Sequence, residues 1–114
     1  MEELRILSPT AILGYGFPLA SVQAGLERNP HGIAVDAGST DPVPYYLVSG
    51  QSFTQRSAVK RDLRHLIEAA LTRKIPLIIG SAGGSGARPH LEWNLAIVEE
   101  VLQELGKTAE LAVI

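Results

Sequence analysis

Asp36-Ala37-Gly38-Ser39-Thr40-Asp41 is the densest run of reactive side chains, with two carboxylates five positions apart and two hydroxyls between them. Carboxylates so spaced on a turn suit a general base and its partner, or oxygen ligation of a divalent cation. The plainer alternative is an aspartate bonded to its own backbone in an Asx turn. Asp36, Asp41, Ser39 and Thr40 are the candidate catalytic residues.

Gly80-Ser81-Ala82-Gly83-Gly84-Ser85-Gly86 is the second such run. Glycines let backbone N–H groups approach a bound group closely and adopt positive φ angles, so the run suits a phosphate, carboxylate or oxyanion at the start of a helix. Ser81 and Ser85 add hydroxyls, and Arg88 adds a planar fork suited to the same groups. A tight turn whose glycines serve only the connection is the alternative. No Gly-Lys-Ser or Gly-Lys-Thr follows, so the run is not the P-loop of a nucleotide hydrolase. Gly14-Tyr15-Gly16 with Asp36 imitates a dinucleotide fingerprint, but Leu19 stands where the third small residue belongs.

Each polar run follows a short apolar one. Leu4 to Leu7 leads into Ser8-Pro9-Thr10 and Gly14-Tyr15-Gly16, Gly32 to Val35 into Asp36, and Pro76 to Ile79 into Gly80. Continuous apolar runs of this length suit the buried strands of a parallel sheet, and open α/β sheets bind ligands at the carboxyl ends of their strands. The three loops are therefore predicted to meet on one edge. Ser8, Thr10, Tyr15, Tyr45, Gly80, Ser81, Gly83, Gly84, Ser85 and Arg88 become the candidate substrate-binding residues, with the tyrosines walling an apolar or acyl group.

Between the strands, helical spacing is predicted from Pro18 to Leu26, over Thr54 to Arg73 through Val59, Leu63, Leu66, Ile67, Ala70 and Leu71, and along Leu91, Leu95, Val98, Leu102 and Leu105. Arg56, Lys60, Arg61, Arg64 and Glu68 read as a solvated helix face. Asp36 to Gln51 reads as a lid or Ω-type loop, and Leu111 to Ile114 as a fourth strand. The predicted fold is a three-layer doubly wound, Rossmann-like α/β domain with a mainly parallel sheet in the order β-α-β-α-β-α-β. A fourth strand with no loop after it suggests a small subunit or the N-terminal part of a larger enzyme, completed by further copies of itself or a larger companion.

His31 precedes the second strand and is expected to be structural, and His65 to face solvent. His90, near the predicted edge, forms a candidate divalent-metal set with Asp36 and Asp41. Trp93 is expected in packing. The chain has 114 residues, a formal net charge of −2 and no cysteine. One domain is expected, with no attraction for nucleic acid, no disulfide and no thiolate chemistry. The acidic start lacks the pattern of a signal peptide and no run approaches a bilayer span, so no membrane association and a cytoplasmic location are expected, with a small anionic substrate as the partner.

Ser8-Pro9-Thr10, Leu13-Gly14-Tyr15-Gly16-Phe17, Asp36 to Pro42 with Pro44-Tyr45-Tyr46-Leu47, and Ile79-Gly80-Ser81-Ala82-Gly83-Gly84 together resemble the N-terminal part of the acyclic terpene utilisation family. That resemblance implies catabolism of acyclic terpenes or other small carboxylic or acyl-CoA substrates by a protein several times longer. The matched polar positions are Ser8, Thr10, Asp36, Ser39, Thr40, Asp41 and Ser81. Ala11, Val43 and Val48 depart from the family pattern, where glycines are expected, while loop lengths are kept.

Overall fold

The computed structural model describes residues 3–114. Its elements are β1 (Ile6–Leu7), α1 (Leu19–Leu26), β2 (Gly32–Asp36), α2 (Val43–Ser49), α3 (Arg56–Arg73), β3 (Leu77–Gly80) and α4 (Arg88–Leu105). The strands form a parallel sheet in the order β1-β2-β3, with Leu7 opposite Ile33, Ile33 opposite Leu77, and Asp36 opposite Gly80. The α/β class and the parallel sheet are those the apolar runs predict.

Two elements differ from the expected order. The segment read as a lid contains α2, and Leu111 to Ile114 forms no strand, its side chains lying exposed. The apolar residues of that tail suit a strand, but strand pairing needs an adjacent edge, which composition does not reveal.

Side chains alternate across a strand, so the register assigns each residue to a face. Leu7, Ile33, Val35, Leu77 and Ile79 point into the core with Leu63, Leu66, Ile97 and Val101. Ile6 and Ile78, on the opposite face, are 52% and 59% exposed. Helices thus cover one face of the sheet, and the chain builds two of the three layers of a doubly wound fold.

In α3, residues Val59, Leu63, Leu66, Ile67 and Ala70 recur on one side and are buried. A fully buried leucine there contributes about 1.5–3 kcal/mol relative to an exposed one. Lys74 stops the helix in the left-handed region at φ 55°, and the Ile75 N–H donates to the Ala70 carbonyl. The α4 helix starts with Pro89 in its first turn and ends at Gly106, φ 65°. Its buried side is His90, Asn94, Ile97, Val98, Val101 and Leu102. That seam is rotated from the leucine stripe expected, and Leu91 and Leu95 are half-buried.

The basic stripe of α3 is not simply solvated. Arg56 and Lys60 both bind Glu100 of α4, and Lys60 and Arg64 bind Glu104 at 2.6 and 3.0 Å. Arg56, then Lys60, hold the Glu100 carboxyl down to about 2, and Glu100 with Glu104 raises Lys60 above its ordinary value. Among the described residues, no helix is long and apolar enough to cross a membrane.

Candidate functional site

Backbone hydrogen bonds bring the three loops to one rim. The Leu13 N–H donates to the Asp36 carbonyl at 2.8 Å, which carries the loop after β1 across the end of β2. The Ala37 N–H donates to the Gly80 carbonyl at 2.9 Å, which joins the ends of β2 and β3. Gly38 is then wedged against Ser81, where a Cβ would lie 2.7 Å from the Ser81 Cβ and 2.9 Å from the Gly84 carbonyl oxygen.

At this rim Asp36 is exposed, and its Oδ1 accepts the Gly38 N–H at 2.8 Å. That is the Asx turn of the plainer alternative, and it occupies one of the two carboxylate oxygens. Ser39 is half-buried, and Thr40 and Asp41 are exposed. Ser81 is exposed and left-handed at φ 49°, a conformation that costs a non-glycine residue about 1 kcal/mol or more.

Other candidates have structural partners. The Thr10 hydroxyl donates to the Ile12 carbonyl at 3.0 Å and accepts the Ile12 N–H at 3.2 Å, so it closes its own turn. Ser8 is exposed and lines a depression of about 110 Å³ with Leu7, Pro9 and Phe17. Arg88 is exposed and pairs with Glu92 one turn along α4, at 3.4 Å.

The loop holding Gly14 and Gly16 does bind an anion, and the chain supplies it. Both N–H groups donate to Asp62 Oδ2, at 2.8 and 3.0 Å, while Arg61 donates Nε and Nη2 to Oδ1, each at 3.2 Å. Asp62 is 1% exposed. Glycines at φ 106° and 82° aim the two amides at one oxygen, an arrangement a side chain at either position would strain. Asp62 is not among the candidates that loop chemistry nominates; its one local signal is a carboxylate beside Leu63 on the apolar side of α3.

The second glycine run packs inward. Ala82–Gly84 form a buried 3-10 turn. A Cβ on Gly83 would lie 2.0 Å from the His90 carbonyl oxygen, and one on Gly84 3.3 Å from the Phe53 ring. The Ser85 Oγ is buried without a hydrogen-bond partner.

Aromatic rings form a row above this run. Tyr15 meets Phe53 edge-on at 6.4 Å, Phe53 meets Tyr46 at 5.8 Å, and Tyr46 meets Tyr45 at 5.0 Å. Tyr15 and Tyr45 are exposed at its two ends. Phe53, which links Tyr15 to the Tyr45–Tyr46 pair through Tyr46, carries no local signal of this role, because only the fold brings it there.

The metal set is not assembled. His90 is buried, with Nε2 2.9 Å from the Tyr46 carbonyl and 3.1 Å from that of Gln51. Two carbonyl acceptors require that nitrogen to carry a proton, so it is not a free ligand. No group of three or more histidine, aspartate and glutamate side chains is placed to hold a metal among the described residues. His31 accepts the Arg5 N–H on Nδ1 at 3.0 Å, away from the rim, and Trp93 packs against the core. His65 is half-buried rather than solvent-facing, 6.3 Å edge-on from Phe17.

No family model, curated protein or solved structure matches the chain. What the geometry offers chemically is one carboxylate oxygen of Asp36 left over from the Asx turn, the exposed Ser81 packed against Gly38 at the end of the neighbouring strand, and a row of rings along one side.

Proposed function

We propose that this chain forms one wall of an active site for a small carboxylated or CoA-linked metabolite. Asp36 and Asp41 serve as acid/base groups there, and the run from Gly80 to Gly86 holds the anionic end of the substrate. The observation that carries this reading is the junction of Asp36, Gly38 and Ser81 at the carboxyl ends of two adjacent parallel strands, where open α/β sheets bind ligands. Tyr15 and Tyr45, exposed at the ends of the aromatic row, add apolar walls for an acyl group. The resemblance of the same loops to acyclic terpene utilisation proteins supports this substrate class. In this reading the protein works in the cytoplasm, and a companion subunit or further copies supply the rest of the site.

The direct test is turnover of short carboxylates and their CoA thioesters by the protein and by Asp36→Asn. Loss of turnover with an unchanged far-UV spectrum supports the assignment, and an unchanged rate removes Asp36. Binding is read separately from the thermal midpoint with added CoA thioester. A ligand at a hundredfold excess over Kd adds about 2.7 kcal/mol, which moves the midpoint of a small domain by about 10 °C.

A second reading, a non-catalytic assembly module, is favoured by the uncovered sheet face with Ile6 and Ile78. It predicts association in sedimentation that Ile78→Lys abolishes, with no ligand-dependent thermal shift. A nucleotide- or phosphate-binding module without catalysis would show the shift and no turnover.

A further inference from the structure

The segment that follows α2 lies across the second glycine run. Ser52 Oγ and the Phe53 ring stand 3.5 and 3.3 Å from where a Cβ on Gly84 would sit, and Gly50 faces Pro89. Ala82, Gly83 and Gly84 are buried. Yet α2 buries none of its own side chains, and Val48 is 89% exposed. Its attachment to the body is concentrated in His90, whose Nε2 donates to the carbonyls of Tyr46 and Gln51, on either side of the left-handed Gly50 that ends the helix. The edge-on contact of Phe53 with Tyr15, in the loop after β1, is a second tie to the body, whereas the Tyr46–Phe53 contact lies within the segment itself.

Beside this attachment lie polar atoms that the closed arrangement does not satisfy. Ser85 Oγ, His90 Nδ1 and Asn94 Oδ1 are buried and have no hydrogen-bond partner. His90 and Asn94 are 1% and 4% exposed and sit one turn apart on the buried side of α4. Buried polar atoms are nearly always paired, and exceptions mark strained or functional places. A strap with no buried side chains belongs to the least stable part of a fold, where local opening is cheapest.

We propose that residues 42–53 are a lid in its closed position, latched by His90, and that its opening uncovers the unpartnered Ser85 hydroxyl for an anionic ligand. The ligand's class rests on the proposed function above, whereas the lid does not. A ligand that contacts that hydroxyl only when it is uncovered shifts the population toward the open state by its differential affinity.

Hydrogen exchange without any ligand tests the lid. Amides 45–51 are expected to exchange through an opening that α3 and α4 do not share. His90→Leu accelerates that exchange by about tenfold or more, as loss of a buried hydrogen-bonding latch requires, and His90→Gln, which offers an amide nitrogen near Nε2, restores much of the protection. Because the natural chain has no cysteine, Ser85→Cys supplies a unique thiol whose labelling rate should rise with His90→Leu. Exchange of 45–51 only together with α3 and α4 overturns the proposal. So does a folded His90→Leu protein with unchanged exchange and labelling. Should His90→Leu not fold, exchange of the wild-type chain decides alone. Inorganic phosphate is the probe for the ligand: it should slow labelling of the introduced thiol and speed exchange of 45–51. Phosphate that does neither removes the anion from the proposal and weakens the proposed function, with the lid judged on its own exchange.

Discussion

The loop of Gly14 and Gly16 turns its amides onto Asp62, whereas the run from Gly80 to Gly86, at the same edge of the sheet, turns its middle residues against α4 and leaves Ser85 Oγ without a partner. Both contain glycines at positive φ, but the Gly84 and Gly86 amides donate to the Ser81 and Ala82 carbonyls of their own turn. One already holds a carboxylate from the chain itself, so its conformation is complete on folding. The other closes on its own carbonyls beneath a segment that buries little, and leaves the Ser85 hydroxyl without a partner. A glycine loop is therefore not by itself a ligand site, because the fold can deliver the anion.

The largest effect that would sharpen this contrast comes from adding one methyl group to each loop. Gly83 has φ 76° and a Cβ there would lie 2.0 Å from the His90 carbonyl oxygen, part of a helix backbone that cannot move aside. Gly83→Ala is expected to lose about 4 kcal/mol or to fail to fold, read from the urea midpoint. At Gly16 the nearest atom is 3.2 Å away, on the flexible Arg61 guanidinium, so Gly16→Ala meets mainly the φ 82° penalty. A loss of about 1–2 kcal/mol is expected. Equal losses at the two sites would break the distinction between a loop fixed by packing and one fixed by its anion.

Asp62→Ala strikes the filled loop directly. It leaves the Gly14 and Gly16 amides and the Arg61 guanidinium without their carboxylate, at an expected cost of about 3 kcal/mol in chemical denaturation. Asp62→Asn keeps an acceptor and should cost less. A change below about 0.5 kcal/mol in the alanine variant would mean that the loop holds its shape without the anion.

What the sequence revealed here follows from how local each feature is. The runs Gly32 to Val35 and Pro76 to Ile79 announce β2 and β3 because a strand buried in a parallel sheet is continuously apolar. The spacing of Val59, Leu63 and Leu66 announces α3 for the same local reason. The junction of the loops after β2 and β3, where Gly38 packs on Ser81, was legible too, because strand direction alone sends both loops to one edge. By contrast, α2 lies among Pro42, Pro44 and Gly50, which read as loop, and nothing near it reports that His90 lies 44 residues away in the chain and holds its carbonyl. The tail from Leu111 to Ile114 has strand-forming residues, but pairing is decided by a distant edge. Asp62 was the exception: its place among apolar neighbours was visible, and only its partners were not.

Acid titration must separate the loops from the α3–α4 ion pairs. Glu100 falls from 4.5 to about 2 in the folded chain, first through Arg56 and then through Lys60. A carboxyl lowered on folding stabilises fully above its unfolded value and loses that contribution as the pH falls through its folded one. Stability should therefore decline between about pH 4.5 and pH 2, less steeply in high salt because these groups are partly exposed. Glu100→Gln should remove that part of the slope while leaving the response to Asp62→Ala unchanged at pH 7. Coupling between the two substitutions would show that the ion pairs and the filled loop act as one unit.

The smallest effect bears most on the open loop. Ser85 Oγ is buried and unpartnered, so Ser85→Ala removes an unsatisfied hydroxyl without removing a contact the folded chain depends on. The expected change is within about 1 kcal/mol and in the stabilising direction, measured by urea denaturation without ligand. The sign is the informative part. Asp62→Ala and Ser85→Ala both delete a buried polar group beside a glycine loop, yet opposite signs are expected because one group is satisfied by the fold and the other is not. If Ser85→Ala destabilises by as much as Asp62→Ala, the hydroxyl has a partner in solution, and the second glycine run is as complete as the first.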